Sequence, residues 1–161
     1  MATLRERKSA RSAPVPLERV TTLLGGKRIL RTSVESPLDA HEMILKGIPS
    51  RALIHLVAQL VVLQPTRSLE KAVGMSLRTF QRRKDAGAKP LSQEQSGRAW
   101  KFAEILATAT DVLGSQEEAE KWLDRPAIGL NRRRPIDLLA TPAGVELVED
   151  HLTRLAYGVY T

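Results

Sequence analysis

Residues Leu69–Gly87 read LEKAVGMSLRTFQRRKDAG. Leu69, Ala72 and Val73 stand at i, i+3 and i+4, one face of a short helix. Gly74 follows, the residue that enters a left-handed helix end most easily. Ser76 can then cap a second helix by accepting a bond from a first-turn N–H. That helix has Leu77 and Phe80 on its inner face and Arg78, Gln81 and Arg82 on the other, with Arg83 and Lys84 beside them. A short helix, a glycine turn and a basic helix read as helix-turn-helix, with Ser76–Lys84 as the recognition helix. Arg pairs with guanine acceptors, Gln with adenine, and the surplus cations sit against phosphates. The candidate DNA-binding residues are Ser76, Arg78, Thr79, Gln81, Arg82, Arg83 and Lys84. An ordinary helical hairpin with a solvated charged face is the competing reading. Glu70 stands where a small residue would favour close helix crossing, and Arg83 where an apolar residue is common.

The charge around this stretch is uneven. Residues 1–90 hold 17 Lys/Arg against 7 Asp/Glu, and residues 91–161 hold 8 against 11, so +10 and −3 make up the net +7. A basic front half fits a polyanion, and a mildly acidic rear half fits a different partner. With 161 residues, 42% hydrophobic and only 4% aromatic, the chain must build an aliphatic core, which suits helices. Cysteine is absent, which removes disulfides and thiolate chemistry. The longest apolar run, Ala52–Leu63, is too short to span a bilayer, and no signal-peptide core appears near the start. A cytoplasmic protein without membrane contact is expected.

Outward from the motif, every element reads as helix. Residues 1–16 are basic and proline-containing and read as a flexible tail or a basic arm along DNA. A short helix follows at Leu17–Leu24 on Leu17, Val20, Leu23 and Leu24, closed by Gly25-Gly26. Gly-Gly-Lys there lacks phosphate-loop spacing. Lys27–Ser36 reads as irregular or weakly extended. Ser36-Pro37 opens a helix with Leu38, His41, Ile44 and Leu45 inward. Ser50 starts another, running to about Leu63 and stopped by Pro65, with Leu53, Leu56, Val57, Leu60 and Val61 inward. Ser92 with Gln95 is a capping box opening the longest helix, Gln93–Leu113, whose stripe is Trp100, Ala103, Leu106, Ala107 and Leu113. Ser115 with Glu118 opens a helix to Leu123. Thr141 caps a last helix, with Pro142 at its first position and Val145, Val148, Leu152 and Leu155 on one face. The predicted class is an all-α helical bundle divided into a tail (1–16), a helix-turn-helix domain (17–90) and a C-terminal module (91–161).

Catalytic signatures are missing. His41, His55 and His151 are isolated in sequence, no metal-ligand spacing occurs, and no nucleophile elbow or nucleotide loop is present. A non-enzymatic protein without metal or cofactor is expected.

One pattern is far more specific than the helix-turn-helix. Trp122-Leu123, Pro126, Arg134-Pro135-Ile136-Asp137-Leu138-Leu139, Thr141-Pro142-Ala143-Gly144 and Tyr157-Gly158-Val159-Tyr160 follow one another in order. On these residues the chain resembles the Xre/MbcA/ParS-type antitoxins, over about Leu17–Thr161. Arg133 departs from the small residue more usual there. The resemblance implies an Xre-like DNA-binding domain ahead of a C-terminal helical module that binds a RES-domain toxin encoded by the adjacent gene. It implies a toxin that degrades NAD, with its active-site entrance covered by the antitoxin's C-terminal end. The toxin-binding residues it points to are Trp122, Arg132, Arg134, Pro135, Leu138, Leu139, Tyr157, Gly158, Val159, Tyr160 and Thr161. Operator DNA is the second partner, bound for autorepression by a homodimer within a toxin–antitoxin hetero-oligomer, since one recognition helix seldom gives enough specificity. A stand-alone helix-turn-helix regulator with a C-terminal dimerisation module is the alternative.

Overall fold

The computed structural model describes residues 15–63, 67–86 and 89–158, without the side chains of Leu77 and residues 83–86. The expected basic tail lies almost wholly outside the described residues, as does the stop at Pro65. Among the described residues ten α-helices run in order: α1 Leu17–Leu23, α2 Gly26–Leu30, α3 Pro37–Lys46, α4 Ser50–Ala58, α5 Arg67–Val73, α6 Leu77–Ala86, α7 Gln93–Leu113, α8 Gln116–Leu123, α9 Pro135–Leu138 and α10 Pro142–Ala156. Among the described residues there is no strand, only the isolated bridges Pro49–Pro90 and Ala127–Arg133. No described helix is long and apolar enough to cross a membrane. The all-α bundle is as expected.

Helix α7 is the axis of the fold. Its buried residues include Ala99, Trp100, Phe102, Ala103, Ile105, Leu106, Ala107 and Ala109, which occupy most of its circumference. The expected one-sided stripe was too narrow, because α7 is covered by α1, α3 and α5 from the first half and by α8 and α10 from the second. Its ends follow their local chemistry. The Ser92 hydroxyl accepts the Gln95 N–H at 3.1 Å while the Ser92 N–H donates to Gln95 Oε1 at 3.2 Å, and Gly114 closes the helix with φ +95°. At α8 only the serine half of the expected box forms, with the Ser115 hydroxyl accepting the Glu118 N–H at 3.2 Å; the Glu118 carboxylate pairs with Lys121 instead.

Three sequence readings are corrected. The segment taken as irregular contains α2, because buried Leu30 anchors it to the core. In α3 the buried residues are Ala40 and Met43, while Leu38 and Leu45 are 66% and 46% exposed. Two apolar stripes overlap on that helix, and packing against α7 selects the one with smaller residues. Helix α4 ends at Ala58, not Leu63, and Val61 is 64% exposed.

The reason α4 stops early lies outside its own sequence. Val61, Val62 and Leu63 turn their N–H groups onto the buried carboxylate of Glu120 in α8. Oε1 accepts from all three at 2.9, 3.0 and 3.0 Å, and Oε2 accepts again from Val61 at 3.1 Å. Gln116 Nε2 donates to Glu120 Oε2 at 3.0 Å and to the Gln59 carbonyl at 2.9 Å. A buried charge is tolerated only when its lone pairs are filled, and consecutive backbone N–H groups form an anion-holding concavity. Glu120 therefore ends one helix and fastens it to another 57 to 59 residues away.

Candidate functional site

The helix-turn-helix forms as read. Gly74 has φ +69°, and the Met75 N–H reaches back to the Glu70 carbonyl at 3.1 Å, a closure of α5 in which the left-handed residue is glycine. A Cβ at Gly74 would also meet the Arg98 side chain at 2.7 Å. The Ser76 hydroxyl accepts the Thr79 N–H at 3.1 Å and donates to Thr79 Oγ1 at 2.9 Å, which caps α6. Phe80 packs on the core. Ser76, Arg78, Gln81 and Arg82 are exposed and Thr79 is half-buried, while the side chains of Arg83 and Lys84 lie outside the described residues. Helix α6 rests on α4, whereas α5 rests on α7 and α9. Glu70, half-buried in α5, is thus accommodated without the close crossing that a small residue would permit.

The C-terminal pattern divides into frame and surface. Pro135 and Leu139, expected as partner contacts, are buried and pack the module from within; Leu138 is half-buried. Arg134, expected as a toxin contact, is engaged internally. It makes a fork to Asp137 (Nε 2.9 Å, Nη2 3.1 Å), bonds Asp124 at 3.1 Å and donates to Ser68 Oγ of α5 at 2.5 Å. Bonding to Asp137, with help from Asp124, favours its charged form further. Gly144 is required by approach: a Cβ there would fall 1.9 Å from the Leu138 carbonyl oxygen. The Thr141 hydroxyl accepts the Gly144 N–H at 3.1 Å, capping α10 as expected.

Trp122 is half-buried and stacks on His151 of α10, centroids 5.9 Å apart and planes 6° from parallel. His151 Nδ1 is buried without a hydrogen-bond partner among the described residues. Burial, then the nearby Arg154 charge, pushes its pKa below 6.5.

The surface of this module is formed by what the frame holds out. Between Ala127 and Arg133 the chain makes a tight turn, with the Ala127 N–H bonded to the Arg133 carbonyl at 3.0 Å and the Arg132 N–H to the Ala127 carbonyl at 2.9 Å. Asn131 and Arg132 adopt φ +56° and +60°. The turn presents exposed Arg132 and Arg133, and Ile128 at 86% exposure. Leu147 on α10 and Tyr157 after it are 54% and 55% exposed. Gly158 is exposed with φ +68°, and Val159, Tyr160 and Thr161 lie outside the described residues. Sequence reasoning missed Ile128, whose signal was an apolar residue in a proline-and-glycine turn, and Glu120, whose signal was Gln116 one helical turn before it.

Among the described residues, side-chain bonds that join this module to the helices of the first half include those of Glu120, the Arg134 bond to Ser68 and those of Arg98, which donates to the carbonyls of Lys71 and Ala140, each at 3.3 Å. Among the described residues no three His, Asp or Glu side chains gather as a metal site would require.

Comparison with known proteins places both regions. The model of the antitoxin Xre-like helix-turn-helix domain matches residues 39–104, and that of the antitoxin Xre/MbcA/ParS C-terminal toxin-binding domain matches residues 108–158. An "Antitoxin Xre" of Pseudomonas putida is 30% identical over 123 residues, 76% of this chain and 74% of that protein. An "Antitoxin Xre" of Yersinia enterocolitica is 31% identical over 109 residues, 67% and 70% of the two chains. A Sphingobium protein named "Prs ADP-ribosylating antitoxin" is 28% identical over 134 residues, 78% and 82%.

Proposed function

The chain belongs to the Xre family of antitoxins, and from that premise we propose that it neutralises a RES-domain, NAD-consuming toxin encoded by the adjacent gene and represses its own operator. The carrying observation is that residues 108–158 match a toxin-binding domain and hold Ile128, Leu147 and Tyr157 exposed. An exposed tyrosine at the base of the last segment is a good anchor for a partner. The contacts are Ile128, Arg132, Trp122, Leu138, Tyr157 and Gly158, with Val159, Tyr160 and Thr161 entering the toxin's active-site entrance. Arg134, Pro135 and Leu139 hold the frame from which these project. The Sphingobium relative's name couples its antitoxin to ADP-ribosylation. Hydrolysis of NAD and transfer of its ADP-ribose begin from the same substrate, so the assay follows both NAD loss and labelled ADP-ribose transfer.

The experiment is co-expression with the neighbouring gene, comparing the full chain with one lacking residues 157–161. Loss of protection from growth arrest, with the partner still co-purifying, is the expected result. Full protection by the shortened chain refutes occlusion by the tail. Absence of any stoichiometric partner favours the stand-alone regulator.

DNA binding is proposed for Ser76, Arg78, Thr79, Gln81 and Arg82, with Arg83 and Lys84 against the backbone, on a dimer facing two half-sites. The exposed face of α6 supports it. An R78A/R82A variant should lose discrimination between the promoter duplex and a scrambled one; unchanged discrimination removes the recognition-helix assignment.

A further inference from the structure

We infer that Arg28, Arg31 and Arg51, with His55, form a second phosphate-binding cleft, one that grips the phosphodiester backbone of the DNA presented to α6. The cleft has a volume of about 530 Å³, and among the described residues no carboxylate lines it. Arg28 and Arg31 come from α2 and its end, while Arg51 and His55 lie one helical turn apart on α4. Among the described residues none of the three guanidinium groups has an ion-pair partner, whereas Arg19 and Arg98 each have one and Arg134 has two. Gathering three unneutralised cations around one concavity is unfavourable in the isolated chain, and an anion reverses the sign of that interaction. Arg31 is held at φ +58° by its N–H bond to the Lys27 carbonyl at 2.8 Å, a sparsely populated conformation for a residue with a side chain. Guanidinium groups also match phosphate oxygens two at a time, which lysine does not.

Position argues for DNA as the source of the phosphate. Helix α4 packs on α6, and Pro90, just after α6, forms part of the cleft wall. Helix α4, which carries Arg51 and His55, therefore forms a wall of the cleft and also the support on which α6 rests. Helix α2 precedes the segment matched to the helix-turn-helix model, residues 39–104. Arg28 and Arg31 thus come from ahead of that match, and Arg51 and His55 from within it.

This inference rests on the DNA-binding reading of α6, and the test separates the two. Anisotropy titrations against the promoter duplex and a scrambled duplex are run across a salt series for the full chain, R28Q/R31Q/R51Q and R78A/R82A, with helix content checked by circular dichroism. The cleft variant should lower the magnitude of the salt slope by about 2 to 3, because each lost phosphate contact removes about 0.9. It should leave the promoter-to-scrambled ratio unchanged, because phosphate contacts carry no sequence information. R78A/R82A should do the reverse to the ratio. A wild-type slope in the cleft variant overturns the inference while leaving α6 intact. In parallel, pyrophosphate and ADP are titrated calorimetrically. Binding of either one, lost in R28Q/R31Q/R51Q, alongside a wild-type DNA slope assigns the cleft to a free phosphate compound and overturns the DNA assignment. If the full chain binds no duplex, the reading of α6 fails. The calorimetric arm then decides whether the cleft holds phosphate at all. Should the triple variant lose helix content, R28Q and R51Q are measured singly, each expected to shift the slope by about 0.9.

Discussion

Replacing Glu120 by alanine tests the physical claim on which the joining of the two halves depends. The carboxylate is fully buried and accepts the N–H groups of Val61, Val62 and Leu63 together with one from Gln116. Its removal strands those donors. An unsatisfied buried donor costs about 1–3 kcal/mol. Leu63 is buried and carries the full penalty, while Val61 is largely exposed and water relieves it. The sum, with Val62 intermediate, comes to about 3–4 kcal/mol. For a chain of this size 1 kcal/mol moves Tm by about 2–4 °C, so Glu120→Ala should lower Tm by roughly 6–16 °C. Glu120→Gln keeps one acceptor oxygen and should lose about 1–2 kcal/mol. Urea denaturation followed by circular dichroism and by tryptophan fluorescence supplies the measurement. Trp100 and Trp122 lie in α7 and α8, while much of the helix signal comes from elsewhere, so an uncoupled variant should also give non-coincident transitions. An alanine variant within about 0.5 kcal/mol of the parent, with coincident curves, would refute the argument.

Two further predictions follow from the C-terminal module. Gly144→Ala places a methyl against the Leu138 carbonyl, cannot relax without moving the α9–α10 connection, and should cost about 3 kcal/mol in urea unfolding; a neutral result removes the close approach. His151 is held neutral by burial, with Arg154 adding to the effect. At pH above 6.5 both folded and unfolded states leave it uncharged and it contributes no slope. Below 6.5 the unfolded chain takes up the proton first, so stability falls with pH until the folded pKa is passed. The urea midpoint should drop between pH 7.5 and 5.5, and His151→Phe, which keeps a ring against Trp122, should flatten that drop; equal drops in both chains would remove His151 as its source.

Local chemistry was legible where a few adjacent residues decide the outcome. Ser92 with Gln95, Thr141 with Pro142 and the Gly74 turn each need only their neighbours, and each formed as read. Tertiary choices were not legible. Helix α3 carried two apolar stripes, and nothing within it said that Ala40 and Met43 would face α7 while Leu38 and Leu45 faced water. The end of α4 is set by a carboxylate 57 to 59 residues downstream, and a glutamate in an acidic helix reads as surface until its partners are known. The resemblance marked Pro135 and Leu139 without distinguishing a residue that touches a partner from one that shapes the face doing so. The cationic cleft escaped notice because its arginines come from two helices separated in sequence.

The unbroken course of α7 through both groups of helices constrains recombination. The two matched segments end and begin at residues 104 and 108, inside this one rod. Each residue added or removed there turns everything downstream by about 100° and shifts it by 1.5 Å. A single-residue deletion at 105–107 would leave both flanking regions with their own sequences intact and yet rotate Glu120 away from Val61–Leu63. Chimeras between relatives should therefore function only when the splice preserves helical phase, and length variation along the lineage should collect at the surface turns rather than in this span.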